Sequence, residues 1–436
     1  MSDKTILVWF RNDLRIHDNE ILSEAVRKAD KVLPVFIFDP FYFRTSASGA
    51  LKTGSFRARF LLESVADLRL NLQAFGADLL IRTGDPAELL PLLAEQYQVS
   101  EVYHHREVAP DETGISENVE AALWKMKLNL KHFIGHTMYH KEDLPFPIKD
   151  IPDSFVTFKK KVERDSTVRP STVSPDHIIT PEITDAGELP TLADLGIPDP
   201  IDDPRATNTF TGGETAALQQ LTSYLNNCLE NTPQKNRTVT CSSGLSPWLA
   251  VGCISPRQVY WEVVKFQREH HLQNIEPLML ELLWRDYFRF MFKKHGQKFF
   301  RSEGFNNEAP DVATNQDDLF EQWKNGQTGV PYIDAAMHEL NATGFISNYS
   351  RQAVATYLVK DLKVDWTRGA LYFEEKLIDY SPASNWGNWA FVAGVGNDSK
   401  SNRYFNAAKP TAQLESKGEY ITTWLPATAT AGKVSA

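Results

Sequence analysis

The sequence predicts two unlike halves joined by a long connector: an α/β part with a doubly wound parallel sheet over residues 1–135, and an all-helical part over 212–436. Three observations carry this. Up to residue 135, short apolar runs alternate with longer helical patterns, which is how a parallel sheet with helices on both faces reads. Over 136–211, Pro, Asp, Thr and Ser dominate, as in Leu144-Pro145-Phe146-Pro147 and Ile197-Pro198-Asp199-Pro200, which predicts an ordered linker crossing the surface. From Gly212-Gly213-Glu214 onward the apolar period is helical almost throughout.

In the first part, strands are expected at 5–10, 32–38, 78–82, 101–104 and 130–134, with helices at 20–28, 56–75, 86–97 and 112–127. Asp85-Pro86 starts a helix with a cap followed by proline. The first strand, opening with Thr5-Ile6-Leu7-Val8-Trp9-Phe10, is not followed by GxGxxG, so the dinucleotide fingerprint is missing. In its place stands Arg11-Asn12-Asp13-Leu14-Arg15-Ile16-His17-Asp18-Asn19, polar residues at a strand's carboxyl end, where open α/β sheets place ligands. The same loop can cap the next helix through Asp18 or Asn19. His104 and His105 are adjacent on a strand and point to opposite faces, a poor metal pair. Glu107, just beyond, can accept from a bound heterocycle or simply be solvated. In the connector, 155–161 reads as a short helix at most.

The ten Trp and 25 Phe suit either a planar cofactor site or a large aromatic core. A formal charge of −10 argues against wholesale coating of nucleic acid but leaves room for one basic groove. Cys228, Cys241 and Cys253 form no CxxC pair and read as reduced thiols, which places the chain in the cytoplasm. Zinc and iron–sulfur sites are disfavoured. No apolar run is long enough to span a bilayer, and no signal peptide is visible.

The helical part holds the chemistry. Cys241-Ser242-Ser243-Gly244-Leu245-Ser246-Pro247 precedes an apolar helix; its hydroxyls and backbone N–H groups form either a phosphate cradle or ordinary caps. Glu281, Trp284, Arg285, Phe288 and Arg289 fall on one helical face. That face is a site wall, or else an i,i+4 salt-bridge row with Trp284 packed beside it. Arg285 to Arg301 contains six Lys/Arg and one acid, Asp286. A basic patch beside an aromatic wall suits phosphate contacts next to base stacking. Arg351 and Asp379 are candidates for a paired charge. Asn385-Trp386-Gly387-Asn388-Trp389-Ala390-Phe391 puts Asn385 and Trp389 one turn apart. They form a surface for a flat, polar-edged ligand, or a packing knot with Trp389 in the core and Asn385 as a cap.

With these residues in place the chain resembles the photolyase/cryptochrome flavoproteins, and among them the DASH-type cryptochromes. The opening Leu7 to Asn19, the block Glu281-Leu282-Leu283-Trp284-Arg285-Asp286-Tyr287-Phe288, Thr328-Gly329 with Asp334-Ala335, Lys360-Asp361-Leu362 and Asn385 to Trp389 are similar to family blocks in order. The resemblance covers essentially the whole chain. It implies an antenna domain, a linker and a helical domain holding FAD. It implies that Ser242, Ser243, Gly244, Leu245 and Ser246 hold the FAD phosphates and ribityl chain. Arg285, Asn348, Arg351, Asp379, Ser381 and Asn385 would complete the cofactor site, with Asn385 facing flavin N5. Trp389 and Trp366 would be the proximal and middle members of an electron relay. Glu281, Trp284, Asn348 and Gln352 would line a lesion pocket. Arg289, Lys293, Lys294, Tyr349 and Arg403 would contact DNA. An antenna folate near Glu107 is the family's usual second chromophore.

The implied activity is blue-light-driven repair of cyclobutane pyrimidine dimers, mainly in single-stranded DNA, by a monomer. The alternative is a light-responsive signalling protein with weak or no repair. Four departures stand out: Ala313 where the relay's exposed terminal Trp is expected, Tyr349 in place of an Arg, Ser381 in place of an Asp, and a 232–237 segment lacking the expected Tyr-Lys-x-Thr-Arg-Asn run.

Overall fold

The computed structural model describes residues 3–45, 49–230, 242–270, 276–305, 310–397 and 419–425. Arg403, Cys241 and the 232–237 segment lie outside the described residues.

Five parallel strands, β1 Thr5–Phe10, β2 Lys31–Phe38, β3 Leu80–Thr83, β4 Val99–His105 and β5 Leu130–Phe133, form one sheet in the order β3-β2-β1-β4-β5. The order reverses beside β1, so the carboxyl ends of β1 and β4 open a crevice. Helices α1 Glu20–Lys28, α2 Ser55–Ala74, α3 Pro86–Gln96 and α4 Pro110–Lys125 alternate with the strands. Alternation along β1 divides the core. Leu7 and Trp9 face the cluster under α3 and α4, while Ile6, Val8 and Phe10 face the core that continues into the helical half. Asp85 caps α3 by accepting from the Ala87 N–H. Asn19 caps α1 by accepting from the Leu22 N–H.

Asp18 has a different task. It sits at φ +50° and is buried. Its carboxylate accepts from Arg257 Nη2 at 2.7 Å, from the Ser255 hydroxyl and from the Thr172 N–H. Glu214 accepts from the Ile16 and His17 N–H groups at 2.8 and 2.9 Å. The polar loop after β1 is thus largely a latch to the helical half. Gly252 lets the latch close: a Cβ there would lie 1.9 Å from the Asn12 carbonyl oxygen, and its φ is +72°.

The connector carries more structure than its composition suggests. Two short 3-10 turns precede a full helix, α5 Phe155–Asp165, which buries Phe155, Phe158 and Val162. The helical half follows as α6 Glu214–Tyr224, α7 Ser246–Val251, α8 Pro256–Glu269, α9 Glu276–His295, α10 Gln316–Lys324, α11 Pro331–Thr343, α12 Asn348–Thr356, α13 Trp366–Lys376, α14 Pro382–Ala393 and α15 Glu419–Trp424. Two glycines set its closest helix approaches. A Cβ on Gly387 of α14 would meet Phe288 of α9 at 2.3 Å, and one on Gly369 of α13 would meet Trp389 at 2.3 Å.

Candidate functional site

Helices α12, α13 and α14 assemble the centre. Arg351 Nη2 donates to Asp379 Oδ2 at 2.9 Å, so the charge pair suggested by the sequence is formed. Arg351 Nε is held by the Ile346 carbonyl at 2.9 Å. The Asp379 side chain is 1% exposed, and its Oδ1 has no hydrogen-bond partner. Asn385 is mid-helix rather than a cap. Its Nδ2 donates to the Ala370 carbonyl at 2.9 Å, so the half of the amide left for a ligand is the acceptor. Trp389 is core at 2% exposure, yet its indole N–H is unpartnered. Buried polar atoms are rarely left unpaired. An orphan acceptor, an orphan donor and an aimed amide oxygen fit a flat heterocycle with polar edges, as the isoalloxazine of FAD is.

The remaining predicted cofactor residues divide. Ser381 is buried at the start of α14, with its hydroxyl making no capping bond. Ser243 and Leu245 are buried, Ser242 and Ser246 exposed, and Gly244 takes φ +64°. Leu245 is core at 0% exposure, so it contributes packing and backbone only. Arg285 donates to the His136 and Leu249 carbonyls, and burial lowers its pKa to about 10. The Glu281–Arg285–Arg289 salt-bridge row is not made.

On the outer side of α9 and α12, Glu281, Asn348 and Gln352 are exposed and Trp284 is half-buried. The surrounding protein partly desolvates the Glu281 carboxyl and raises its pKa. Trp284 lies 5.9 Å from Phe391, edge to face. One face of its indole is already taken: Phe155 from the connector stacks on it at 3.5 Å and 11°. Nothing in the local pattern of 155–161 announces this contact.

Two expectations about charge are corrected. Glu107 is not solvated but 2% exposed. Arg289 is not a surface phosphate contact but 6% exposed, and its Nη2 donates to Glu107 Oε2 at 2.8 Å. Asn12 donates to Glu107 Oε1 at 2.9 Å, and His136 Nε2 stands 3.3 Å away. Burial alone would raise the Glu107 pKa, but His136, Arg289 and Arg11 outweigh it and hold the carboxyl well below its usual range. Of the other DNA candidates, Lys293 is exposed. Lys294 donates to the Ile151 carbonyl and to Asp153, both at 2.7 Å. Tyr349 is half-buried, 6.1 Å from Tyr332.

Glu107 and Arg289 help line a cavity of about 150 Å³ between the two halves, at the crevice beside β1. Trp9, Phe36, Phe38 and Tyr42 give it apolar walls, and Lys52, Arg57 and Glu112 give it charged or polar groups. Burial and then Glu107 raise the Glu112 pKa to about 8, so this carboxyl can donate a hydrogen bond at neutral pH. Ser381 and Pro382 line the same cavity and connect it to the Asn385 helix. Among the described residues no cluster of His, Cys, Asp or Glu could hold a metal.

Comparison with known proteins places this arrangement. Residues 6–176 match the DNA photolyase family, and residues 278–434 match the FAD binding domain of DNA photolyase. A cryptochrome DASH of Gloeobacter violaceus is 44% identical over 98% of this chain and 86% of its own length. One from Xenopus laevis is 42% identical, covering 98% and 83%. A Synechocystis cryptochrome of known structure superposes with a TM-score of 0.91 at 41% identity, covering 97% of this chain and 89% of that one. The chain belongs to the photolyase/cryptochrome family, among the DASH cryptochromes. It therefore contains the family's FAD-binding domain, and its two-part fold is the family fold. A photolyase of Sulfolobus tokodaii, described with two FAD molecules, is 27% identical with a TM-score of 0.79, covering 97% of this chain and 90% of that one. DASH relatives include a chloroplastic/mitochondrial protein of Arabidopsis thaliana, 41% identical. No helix among the described residues is long and apolar enough to cross a membrane.

Proposed function

We propose that the protein is a light-dependent flavoprotein that splits cyclobutane pyrimidine dimers in single-stranded DNA, acting as a monomer. The observation that carries the reading is the pairing of two surfaces. Asp379, Arg351 and the Asn385 acceptor form a buried polar floor, and Glu281, Asn348 and Gln352 form an open wall on the neighbouring helix faces.

FAD, when bound and excited by blue light, supplies the electron that opens the dimer ring. The chain does the rest. Arg351 and Asp379 would hold the flavin's polar edge, and the Asn385 oxygen would accept from its N–H. The Ser242 to Ser246 turn would present N–H and hydroxyl donors to the phosphates. Glu281 retains its proton to higher pH than an ordinary carboxyl. A protonated Glu281 would donate to a base carbonyl as negative charge builds there. Asn348 and Gln352 would read base edges. Exposed Lys293, Lys298 and Arg301 would take phosphates. A flipped dimer leaves a single strand more cheaply than a duplex. The cavity beside β1 would hold a second chromophore, a folate by the resemblance, with Glu112 as a donor and Trp9 as a wall.

The test is illumination of the reduced holoprotein with a dimer-containing single-stranded oligonucleotide. Light-dependent repair is expected, and Glu281→Ala should slow it at least about tenfold. Full FAD occupancy with no repair would sink the reading.

A second reading, a photoreceptor without repair, is favoured by Phe155 covering the Trp284 face. On that reading neither the wild type nor Phe155→Ala repairs DNA, and light instead changes the protein's proteolysis pattern.

A further inference from the structure

We infer that Trp323 and Tyr372 carry electrons outward from the buried Trp389, so that the relay ends on a tyrosine. The inference rests on the FAD reading above and concerns how a bound, oxidised flavin becomes reduced.

Among the described residues the route through Trp366 has no exposed end. Trp366 is 0% exposed, and its indole N–H is fixed on the Ser302 carbonyl at 2.9 Å. Its ring neighbour among the described residues is Trp386, at 5.8 Å. Trp386 in turn touches Phe300 at 4.6 Å and donates to the Tyr380 hydroxyl at 3.2 Å. Phe300 and Tyr380 both line the interdomain cavity, so this branch runs inward. Ala313 sits beside the turn into Trp366, its N–H on the Lys363 carbonyl at 2.8 Å, and offers no ring there.

A second branch leaves Trp389 and ends at Tyr372, itself 7% exposed, beside the exposed Asn341. The Trp389 and Trp323 rings are 6.3 Å apart, and the Trp323 and Tyr372 rings 5.8 Å apart. Trp323 is wholly buried, with its N–H on the Val354 carbonyl at 2.9 Å. Its other ring neighbours, Phe320 and Phe373, are not readily oxidised. Indole and phenol are, so the oxidisable path is Trp389, Trp323, Tyr372.

Burial, and then the Glu375 charge, raise the Tyr372 pKa, so its proton leaves only once the ring has been oxidised. Its hydroxyl donates to Asn341 Oδ1, and Asn341 is exposed. Glu375 and Glu321 are the acids whose charges it feels, and the Lys376 ammonium lies 5.5 Å from its ring. One electron passes from Tyr372 through Trp323 and Trp389 to the photo-excited oxidised flavin. The phenolic proton leaves past Asn341 to water. A neutral tyrosyl radical remains at 372, and an external thiol restores it by giving up a hydrogen atom.

The experiment uses purified holoprotein whose FAD content is first measured by absorbance. Under blue light with a thiol, the wild type should accumulate reduced flavin. Transient absorption without thiol should show a long-lived neutral tyrosyl radical. Tyr372→Phe, which removes only a hydroxyl, should abolish that radical and slow photoreduction at least about tenfold. Trp323→Phe should do the same, and Trp366→Phe should leave both signals in place. Should Trp323→Phe fail to fold, Tyr372→Phe decides alone. A bound flavin that reduces as fast in Tyr372→Phe as in the wild type overturns the inference. So does a wild type whose long-lived radical is not a tyrosyl, or one that does not photoreduce; in each case the FAD reading stands. Absence of bound flavin overturns the FAD reading itself and the inference with it.

Discussion

Arg289→Met should destabilise the protein by about 3 kcal/mol at pH 7, and acid should relieve much of that loss. Arg289 and Glu107 meet at 2.8 Å with side chains 7% and 1% exposed. Methionine keeps most of the packing stem and removes the charge. Taking one partner from a buried pair usually costs about 3–5 kcal/mol. Two features hold the cost near the lower end. Asn12 still donates to Glu107, and the Arg11 charge remains close. Glu107 can also escape by taking a proton. Its ordinary pKa is 4.5, so keeping it neutral at pH 7 costs at most about 3.4 kcal/mol at 1.36 kcal/mol per pH unit.

That ceiling falls to about 1.4 kcal/mol at pH 5.5 by the same arithmetic. The sign comes from linkage. In the wild type the folded-state pKa of Glu107 is depressed, so its stabilising contribution is fully present above 4.5 and constant between pH 5.5 and 7. In the variant the folded state gains a proton as pH drops, so only the variant recovers. His136 acts in the same direction. Burial, with Arg289 and other cations added, holds it well below its usual pKa against the raising effect of Glu107, and losing Arg289 removes one of the charges that oppose its protonation. Urea unfolding followed by tryptophan fluorescence at both pH values reads the difference. A deficit below about 1 kcal/mol at pH 7, or one unchanged at pH 5.5, would refute the reasoning. Adding Glu107→Gln to the variant should recover most of the loss.

Two further outcomes are expected. Gly387→Ala places a methyl 2.3 Å from the buried Phe288 ring, so the α9–α14 contact must open at a cost of about 1–3 kcal/mol, read as a lower Tm. Asp379→Asn keeps the side chain's shape but removes the charge opposite Arg351, a charge-assisted bond of about 1.5–3 kcal/mol. The variant should unfold at a lower Tm without flavin and, beyond that, retain FAD at least about tenfold more weakly when folded; equal retention by the folded variant would remove Asp379 from the cofactor site.

The range of each interaction decides how legible it is in the chain. All five strands and their helices were legible because apolar periodicity and caps are local. The Asp85 and Asn19 caps each act within three residues. The Arg351–Asp379 pair was named as a candidate from the residues, and the resemblance alone assigned it to the cofactor, because 28 positions separate the partners. Arg289 was misread and Glu107 was left open because the two partners are 182 positions apart, and an isolated charge in a sequence reads as solvated. Phe155 was missed for the same reason: the Trp284 ring on which it stacks is 129 positions away. Gly387 did carry a local signal, since a glycine between two tryptophans inside a helix marks a place where another surface comes close.

The same contrast bears on how the two halves act together. The loop after β1 looked like a ligand loop, and Arg11 and Asn12 do line the cavity. The rest, from Arg15 to Asp18, is consumed by bonds to Gly252, Glu214, Ser255 and Arg257 of the helical half. Lys52 adds a second bridge, to Asp111 on one side and Glu374 on the other, at 3.0 and 2.8 Å. A cavity walled by both halves and bounded by such latches keeps its shape only while they hold. Whatever fills it is therefore fixed relative to the Asn385 helix through Ser381 and Pro382. That fixed relation is what a second chromophore would need to pass excitation to a flavin, and it is made with buried charges where a single apolar seam would have sufficed for stability alone.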